Sequence, residues 1–181
     1  KRGELVAYYQ PKILLSDGSL YGCEALVRWI QDDGQIISPG VFIPALEREG
    51  SICELDFYVF EQVCKDHIQQ IKKKLGISGI LTEVSSWFTK ATGETDGAQI
   101  DMLIDRRDKV INICEMKFAA NEYEIDKDYE KKLINKIECF RKETGSKKAL
   151  HLTMVTTYGI RQNSHSGRIQ SEVTMDDLFE N

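Results

Sequence analysis

Residues 20–30, LYGCEALVRWI, decide how the N-terminal part of the chain folds. The stretch is rich in strand-forming residues and lies between the turn SDGS (16–19) and the break QDDGQ (31–35). An earlier apolar-rich stretch, residues 4–15, ends at the same SDGS turn. The pattern therefore predicts two consecutive strands joined by a short turn.

Two helices are predicted after these strands. Ser38 and Pro39 mark a helix start and Gly50 marks its stop, because proline suits the first helical turn and glycine suits the C-terminal cap. A second, continuous helix is predicted over residues 51–75, ending near Gly76. Its apolar residues recur at helical spacing: Leu55, Val59, Phe60, Val63 and Cys64.

This region resembles the start of an EAL domain, the domain of cyclic-di-GMP phosphodiesterases. The resemblance is carried by YYQPKI (8–13), EALVRW (24–29) and ISPGVFIPALEREGSICELDFYVFEQVC (37–64). It implies that Glu24 is a metal ligand and that Gln10 and Arg28 contact the dinucleotide. Those roles suit the residue types, because hard divalent cations prefer carboxylate oxygens and a guanidinium fork matches a phosphate.

The later elements of an EAL domain have no counterpart after Cys64. A (β/α)₈ barrel needs roughly 250 residues, whereas this chain has 181. No paired-aspartate strand or DDFG-like stretch follows, so a two-metal clamp on the substrate cannot be assembled. We therefore expect residues 1–65 to form a truncated EAL-like segment that neither hydrolyses cyclic-di-GMP nor binds it tightly.

From residue 66 onward the sequence resembles the C-terminal region of a bacterial AAA-type ATP-binding protein family, within the PD-(D/E)xK nuclease-like superfamily. The resemblance is carried by HIQQIKKKLGISGILTEVSSWF (67–88), GAQIDMLIDRRDKVINICEMKFA (97–119) and EIDKDYEKKLINKIECFRKETGSKKALHLTMVTTYGI (124–160). No GxxxxGK[ST] phosphate loop precedes them. The predicted fold is α/β (α+β): a truncated EAL-barrel fragment of two strands and two helices, joined within a continuous helix near residues 64–67 to a restriction-endonuclease-like αβββαβ core spanning 66–181.

The stretches GAQIDMLIDR (97–106) and KVINICEMKF (109–118) predict a β-hairpin. With a three-residue loop, Arg107 to Lys109, Asp101 lies across from Glu115 on one face and Lys117 is the next residue along that face. With a two-residue loop, the two carboxylates lie on opposite faces.

The nuclease-like resemblance implies that Asp101 and Glu115 bind Mg²⁺ or Mn²⁺ and that Lys117 orients or deprotonates the attacking water. Asp105 is a further candidate near that metal. A helix predicted over residues 127–144 places Lys136 to contact a substrate phosphate, or to lie along the apolar stripe with its ammonium in water. The simpler alternative for the hairpin is a solvated ion pair.

Three functions remain open at this level. The first is metal-dependent hydrolysis of phosphodiester bonds in DNA or RNA, catalysed by Asp101, Glu115 and Lys117. The second is a non-catalytic module that binds nucleic acid or a protein. The third is a cyclic-di-GMP phosphodiesterase or binding remnant of an EAL domain, carried by Gln10, Glu24 and Arg28.

Composition supports a soluble, cytoplasmic prediction. Hydrophobic residues make up 41% and charged residues 29% of the chain, and no apolar run is long enough to suggest a membrane span or a signal peptide. Five cysteines without a CxxC pair suggest neither a zinc site nor a disulfide framework, so we expect mostly buried thiols.

Charge is unevenly distributed along the chain. Residues 1–67 contain 6 Lys and Arg against 11 Asp and Glu, which accounts for the net charge of −5. Lysines and arginines cluster only locally, between residues 131 and 148. Because strands without a barrel leave unpaired edges, we expect the N-terminal strands to pack on the second domain or to pair with a second copy of the chain.

Overall fold

The computed structural model describes residues 4–91 and 97–180, and the chain divides into two units between His67 and Ile68. Both units combine helices and strands. Among the described residues, no helix has the length and apolar character needed to cross a membrane.

The first unit contains a three-stranded antiparallel sheet in the order β1-β2-β3, followed by two helices. Its elements are β1 (Leu5–Ile13), β2 (Leu20–Ile30), β3 (Ile36–Ile37), α1 (Pro39–Glu49) and α2 (Ile52–Asp66). Helix α1 begins after Ser38 with a proline in its first turn, and it ends at Gly50 in the left-handed conformation (φ 75°). The two long strands and the first helix therefore form as the sequence predicts.

Strands β1 and β2 present two different faces. One face packs on the helices through a small core of Val27, Phe42 and Leu55. The rings of Trp29 and Phe42 are in edge-to-face contact there. Gln10 lies opposite Glu24 in the register, so both side chains lie on the other face. The strand pair thus separates an apolar, helix-covered face from a polar one.

The second unit contains a five-stranded mixed sheet in the order β10-β8-β6-β5-β4. Its elements are α3 (Ile68–Lys74), β4 (Thr82–Thr89), β5 (Ala98–Arg106), β6 (Val110–Lys117), β7 (Tyr123–Glu124), α4 (Lys127–Thr144), β8 (Ala149–Thr156), β9 (Ile160–Arg161) and β10 (Ser171–Thr174), with two short 3₁₀ helices at Ser166–Arg168 and Asp176–Leu178. Strands β4, β5 and β6 are antiparallel neighbours, whereas β6, β8 and β10 run parallel. Strands β7 and β9 form a separate parallel pair.

Helix α4 has the predicted bounds and covers the central sheet. The Asp126 side chain caps its start by accepting a hydrogen bond from the Tyr129 N–H at 2.7 Å, and Gly145 (φ 62°) ends it. Leu133 and Phe140 on its buried side join the main core. The other buried members of that core come from the sheet and its connections: Ile100, Leu103, Ile111, Ile113, Ile125, Leu152, Met154 and Ile160.

Several elements differ from the sequence predictions. The continuous helix predicted over residues 51–75 is wrong, because α2 ends at Asp66 and α3 begins at Ile68. Both the backbone N–H and the ring Nδ1 of His67 lie within hydrogen-bonding distance of the Val63 carbonyl, and the ring contacts Tyr9 edge-on, a tertiary contact that helical periodicity does not reveal. The two-residue strands β3, β7 and β9 are also too short for an alternation signal.

The order helix, three strands, helix, strand occurs in α3, β4 to β6, α4 and β8. This order alone does not establish a restriction-endonuclease-like core, because the same layers occur in many mixed α/β proteins. Of the five cysteines, Cys64, Cys114 and Cys139 are buried, Cys23 is partly exposed and Cys53 is exposed.

Candidate functional site

The polar face of the β1–β2 pair, here called the ribbon face, contains the three residues that the sequence assigned to a dinucleotide site. Gln10 lies opposite Glu24, and Arg28 follows Glu24 by four residues on the same strand. Because strand side chains alternate between faces, all three side chains lie on one side of the strand pair. Gln10 and Glu24 are exposed, and Arg28 is half-buried.

Arg28 is held in place by local contacts. Its Nη1 donates to the Val27 carbonyl at 2.8 Å, and its guanidinium carbon lies 5.8 Å from the centre of the Tyr8 ring. A stacked guanidinium loses less conformational freedom when it binds an anion than a freely rotating one does. The ribbon face therefore offers a positioned cation.

Glu24 is a poor metal ligand by itself. Its Oε2 lies 3.3 Å from Lys12 Nζ, an ion pair in which both side chains are about half exposed. Across residues 4–91 and 97–180, no group of three or more His, Cys, Asp or Glu side chains is arranged to hold a metal ion. The residues described around Glu24 do not fit a complete metal centre.

The β5–β6 hairpin forms as predicted, and its loop has three residues, Arg107 to Lys109, which is the first of the two alternatives that the sequence left open. Met102 pairs with Cys114 and Asp105 with Ile111, which is the register that the three-residue loop requires. Lys109 has a positive φ of 69° and closes the turn.

Asp101 departs from the simple hairpin geometry. The ladder between β5 and β6 ends at Met102. On the other side of β5, Asp101 and Met102 lie opposite the single residue Ser86 of β4, which indicates a β-bulge. The Asp101 Oδ2 accepts a hydrogen bond from the Met116 N–H at 2.9 Å, so this side chain takes over a bond that the ladder no longer supplies. Asp101 is 8% exposed.

Glu115 is the most unusual polar group of the second unit. It is completely buried, and its Oε2 accepts hydrogen bonds from Lys136 Nζ at 2.5 Å and from the Tyr129 hydroxyl at 3.2 Å. Its Oε1 has no hydrogen-bond partner in the described parts of the chain. Burial and the nearby Asp101 charge raise the pKa of Glu115, and the Lys136 ammonium offsets only part of this effect.

Five side chains form one group, here called the Glu115 cluster: Asp101, Glu115, Lys117, Tyr129 and Lys136. Lys117 Nζ lies 5.1 Å from the centre of the Tyr129 ring. Burial and the Glu115 charge raise the pKa of Tyr129, which keeps its hydroxyl protonated as a donor. The sequence contains no signal for the Tyr129 hydroxyl, because its contact with Glu115 depends on the distance between helix and sheet.

The other predicted candidates lie elsewhere. The Asp105 carboxylate pairs with the Lys148 ammonium and both are partly exposed, so Asp105 is not part of the Glu115 cluster. Lys136, predicted to contact a phosphate or to remain in water, instead turns its ammonium toward Glu115.

Comparison with known proteins assigns the family. The sequence profile of the EAL domain matches residues 1–93, half of the chain. The chain belongs to the EAL domain family. The match includes the whole ribbon face and extends beyond the predicted boundary at residue 65.

Curated relatives share the N-terminal part of the chain. The bifunctional diguanylate cyclase/cyclic di-GMP phosphodiesterase MucR of Pseudomonas aeruginosa is 38% identical over 65 residues, which covers 36% of this chain and 10% of MucR. The probable cyclic di-GMP phosphodiesterase PdeG of Escherichia coli is 43% identical over 63 residues, which covers 35% of this chain and 12% of PdeG. The matched part thus spans about a tenth of the length of these relatives.

Solved structures similar to the chain also come from this family. The c-di-GMP complex of the PaMucR phosphodiesterase gives a TM-score of 0.33 at 20% identity, covering 91% of this chain and 49% of that one. The cAMP- and cyclic-di-GMP-bound EAL enzyme Bd1971 gives 0.35 at 19% identity, covering 86% and 33%. TM-scores this low support no argument about the fold.

The predicted nuclease function is wrong. The family match and the named relatives point to cyclic-di-GMP phosphodiesterases, and nothing in the comparisons supports a PD-(D/E)xK core, an AAA-type region or a nucleic-acid partner. The paired carboxylates Asp101 and Glu115 do not by themselves indicate a nuclease, because buried acidic side chains also serve structural purposes. In this chain Asp101 caps a backbone N–H, and Glu115 anchors Lys136 and Tyr129 beneath helix α4.

Proposed function

We propose that residues 1–65 of this chain form the dinucleotide-contacting strands of an EAL-type domain and bind cyclic-di-GMP through the ribbon face. The observation that carries this proposal is the register of β1 and β2, which brings Gln10, Glu24 and Arg28 onto one exposed side. The matched relatives are named cyclic-di-GMP phosphodiesterases, and their similarity covers this strand pair.

Each side chain has a role that its contacts support. The Arg28 guanidinium, stacked beside Tyr8, pairs with a phosphate of the ligand. The Gln10 amide supplies a neutral donor or acceptor for a ribose or base. Glu24 holds Lys12 close to the same face, which adds a second positive group for the diester.

Binding, rather than hydrolysis, is the activity that the described residues support. Members of the family use a divalent metal, and Glu24 is a single carboxylate paired with a lysine. We therefore expect the affinity to be weaker than micromolar and the ligand to be released unchanged.

Isothermal titration of the full chain with cyclic-di-GMP tests this proposal. Arg28→Ala should abolish the heat of binding, whereas Arg48→Ala, an exposed arginine on α1, should leave it unchanged. GMP at the same concentration serves as a control for simple charge attraction. Equal binding by the Arg28 and Arg48 variants would refute the ribbon face as the site.

A second proposal concerns a divalent cation at Asp101 and Glu115 and includes no nuclease activity. Its supporting observation is the unpartnered Oε1 of the fully buried Glu115, beside a second carboxylate that raises its pKa. Mg²⁺ or Mn²⁺ would supply the missing partner and reduce the repulsion between the two carboxylates, since Mg²⁺ commonly binds through one or two carboxylates and several waters. The ammonium groups of Lys117 and Lys136 repel a divalent cation at these carboxylates. A metal titration measures whether the cation binds in their presence.

A further inference from the structure

The second unit contains a cavity of about 370 Å³ between helix α4 and the start of strand β5. It is lined by Gly97, Ala98, Gln99, Lys131, Lys132, Asn135 and Lys136. Three of these residues are lysines, two have side-chain amides and none has a carboxylate. The volume lies in the range of small-molecule sites.

We propose that this cavity binds a small phosphate-bearing molecule, such as a sugar phosphate, through Lys132, Asn135 and Gln99. The proposal is independent of cyclic-di-GMP binding at the ribbon face, because it concerns the other unit of the chain.

Helical spacing explains how α4 gathers the positive groups. Lys132 and Lys136 are four residues apart, as are Lys131 and Asn135, so all four side chains emerge on adjoining parts of one helix face. Gln99 approaches from the opposite wall, on the first residues of β5. A ligand in the cavity contacts both helix α4 and strand β5. An exposed lysine-rich helix would contact it from one side only.

The three lysines differ in how strongly other side chains neutralise their charge. The Lys136 ammonium is fixed by the buried Glu115. Lys131 forms an exposed pair with Asp128 at 2.9 Å, and such surface pairs contribute less than about 1 kcal/mol. Lys132 forms no ion pair with any residue of 4–91 or 97–180, so its charge is available to an incoming anion.

The amide groups favour a phosphate ester over a simple inorganic anion, because they add hydrogen-bond donors to the positive charge of the lysines. The Asn135 Oδ1 accepts a weak hydrogen bond from Cys139 Sγ at 3.5 Å, which leaves the NH₂ end to donate to a ligand oxygen. The Gln99 side chain is exposed at the opposite wall. Ammonium and amide donors together match the several acceptor oxygens of a phosphate attached to a hydroxylated body.

The wall at Gly97 leaves no room for a side chain. A Cβ there would lie 2.9 Å from the Ala91 nitrogen and 3.1 Å from the Thr89 carbonyl oxygen. The start of β5 therefore packs directly against the backbone at the end of β4, and glycine is needed at this edge of the cavity for that close approach.

The test is an NMR titration of the full chain with ribose 5-phosphate, with ribose as the uncharged comparison and EDTA present to remove divalent cations. We expect ribose 5-phosphate, and not ribose, to shift the amide signals of residues 97–99 and 131–136. Lys132→Met should weaken binding at least fivefold, whereas Lys142→Met, an exposed lysine of the same helix outside the cavity, should leave it unchanged.

Both lysine variants change exposed side chains, so both should fold. Equal effects of the two substitutions, or shifts spread over all lysine-rich segments, would mean non-specific charge attraction and would overturn the proposal. Tighter binding of a DNA duplex than of ribose 5-phosphate, lost equally in Lys132→Met, would also overturn it in favour of a nucleic-acid surface.

Discussion

The two units differ in where their informative residues lie. The EAL family match covers the first unit and the start of the second, up to residue 93, and the buried core of the first unit is small. In the second unit a large core surrounds a buried group of charged and hydroxyl side chains that the family match does not explain. The family match and the buried Glu115 cluster therefore lie in different parts of the chain. Separate experiments are needed for each.

The largest effect is expected for Lys136→Met. This change leaves Glu115 without its cation in a fully buried position, and removing one partner of a buried ion pair costs about 3–5 kcal/mol. The loss should be smaller at acidic pH, where Glu115 becomes neutral. Urea unfolding at two pH values measures it, and an unchanged midpoint at neutral pH would show that Lys136 does not support Glu115.

Leu133→Ala should destabilise the second unit by about 2–5 kcal/mol, because it creates a cavity beneath α4 in the main core. Leu20→Ala provides the matched control. Leu20 is 66% exposed in the first unit, and its loss should change stability by less than about 0.5 kcal/mol. Hydrogen exchange read for each unit separately should show the Leu133 effect in residues 68–180 alone.

The hairpin around Asp101 shows how much could be predicted. Residue alternation predicted the β5–β6 hairpin and helical periodicity predicted the bounds of α4, because local rules dominate in those elements. The sequence left the hairpin register open between two loop lengths, and the structure has the three-residue loop. The bulge at Asp101 and the contacts of Lys136 and Tyr129 with Glu115 depend on how a helix sits on a sheet, and no local pattern encodes this. The functional error came from the resemblance of residues 66–181 to a nuclease-like family, which the comparisons do not support.

Cation binding in the second unit should be detectable as thermal stabilisation. At free Mg²⁺ of about one hundred times the dissociation constant, the folded state gains about 2.7 kcal/mol. The gain should disappear in Asp101→Asn and in Glu115→Gln and persist in Glu138→Gln, an exposed carboxylate of α4. The same melting-temperature rise in all variants would exclude a cation between Asp101 and Glu115.

A smaller effect is expected from pH. The pKa of Glu115 is raised above its usual 4.5, so the folded state holds this proton more tightly than the unfolded state does. Its stabilising contribution is present in full below pH 4.5 and is lost as the pH rises through the folded pKa. Glu115→Gln should remove this fall in stability, and Glu138→Gln should retain it. Urea unfolding across the pH range measures the fall, and a fall of equal size in both variants would assign the titration to another group.

The most direct test of the central claim is an NMR titration of the full chain with cyclic-di-GMP in the presence of Mg²⁺. The account predicts shifts in the amide signals of β1 and β2 around Gln10, Glu24 and Arg28, with affinity weaker than micromolar and no linear product. The absence of any shift in these strands at millimolar ligand, or shifts confined to residues 68–180, would contradict the assignment of the ribbon face as the cyclic-di-GMP site.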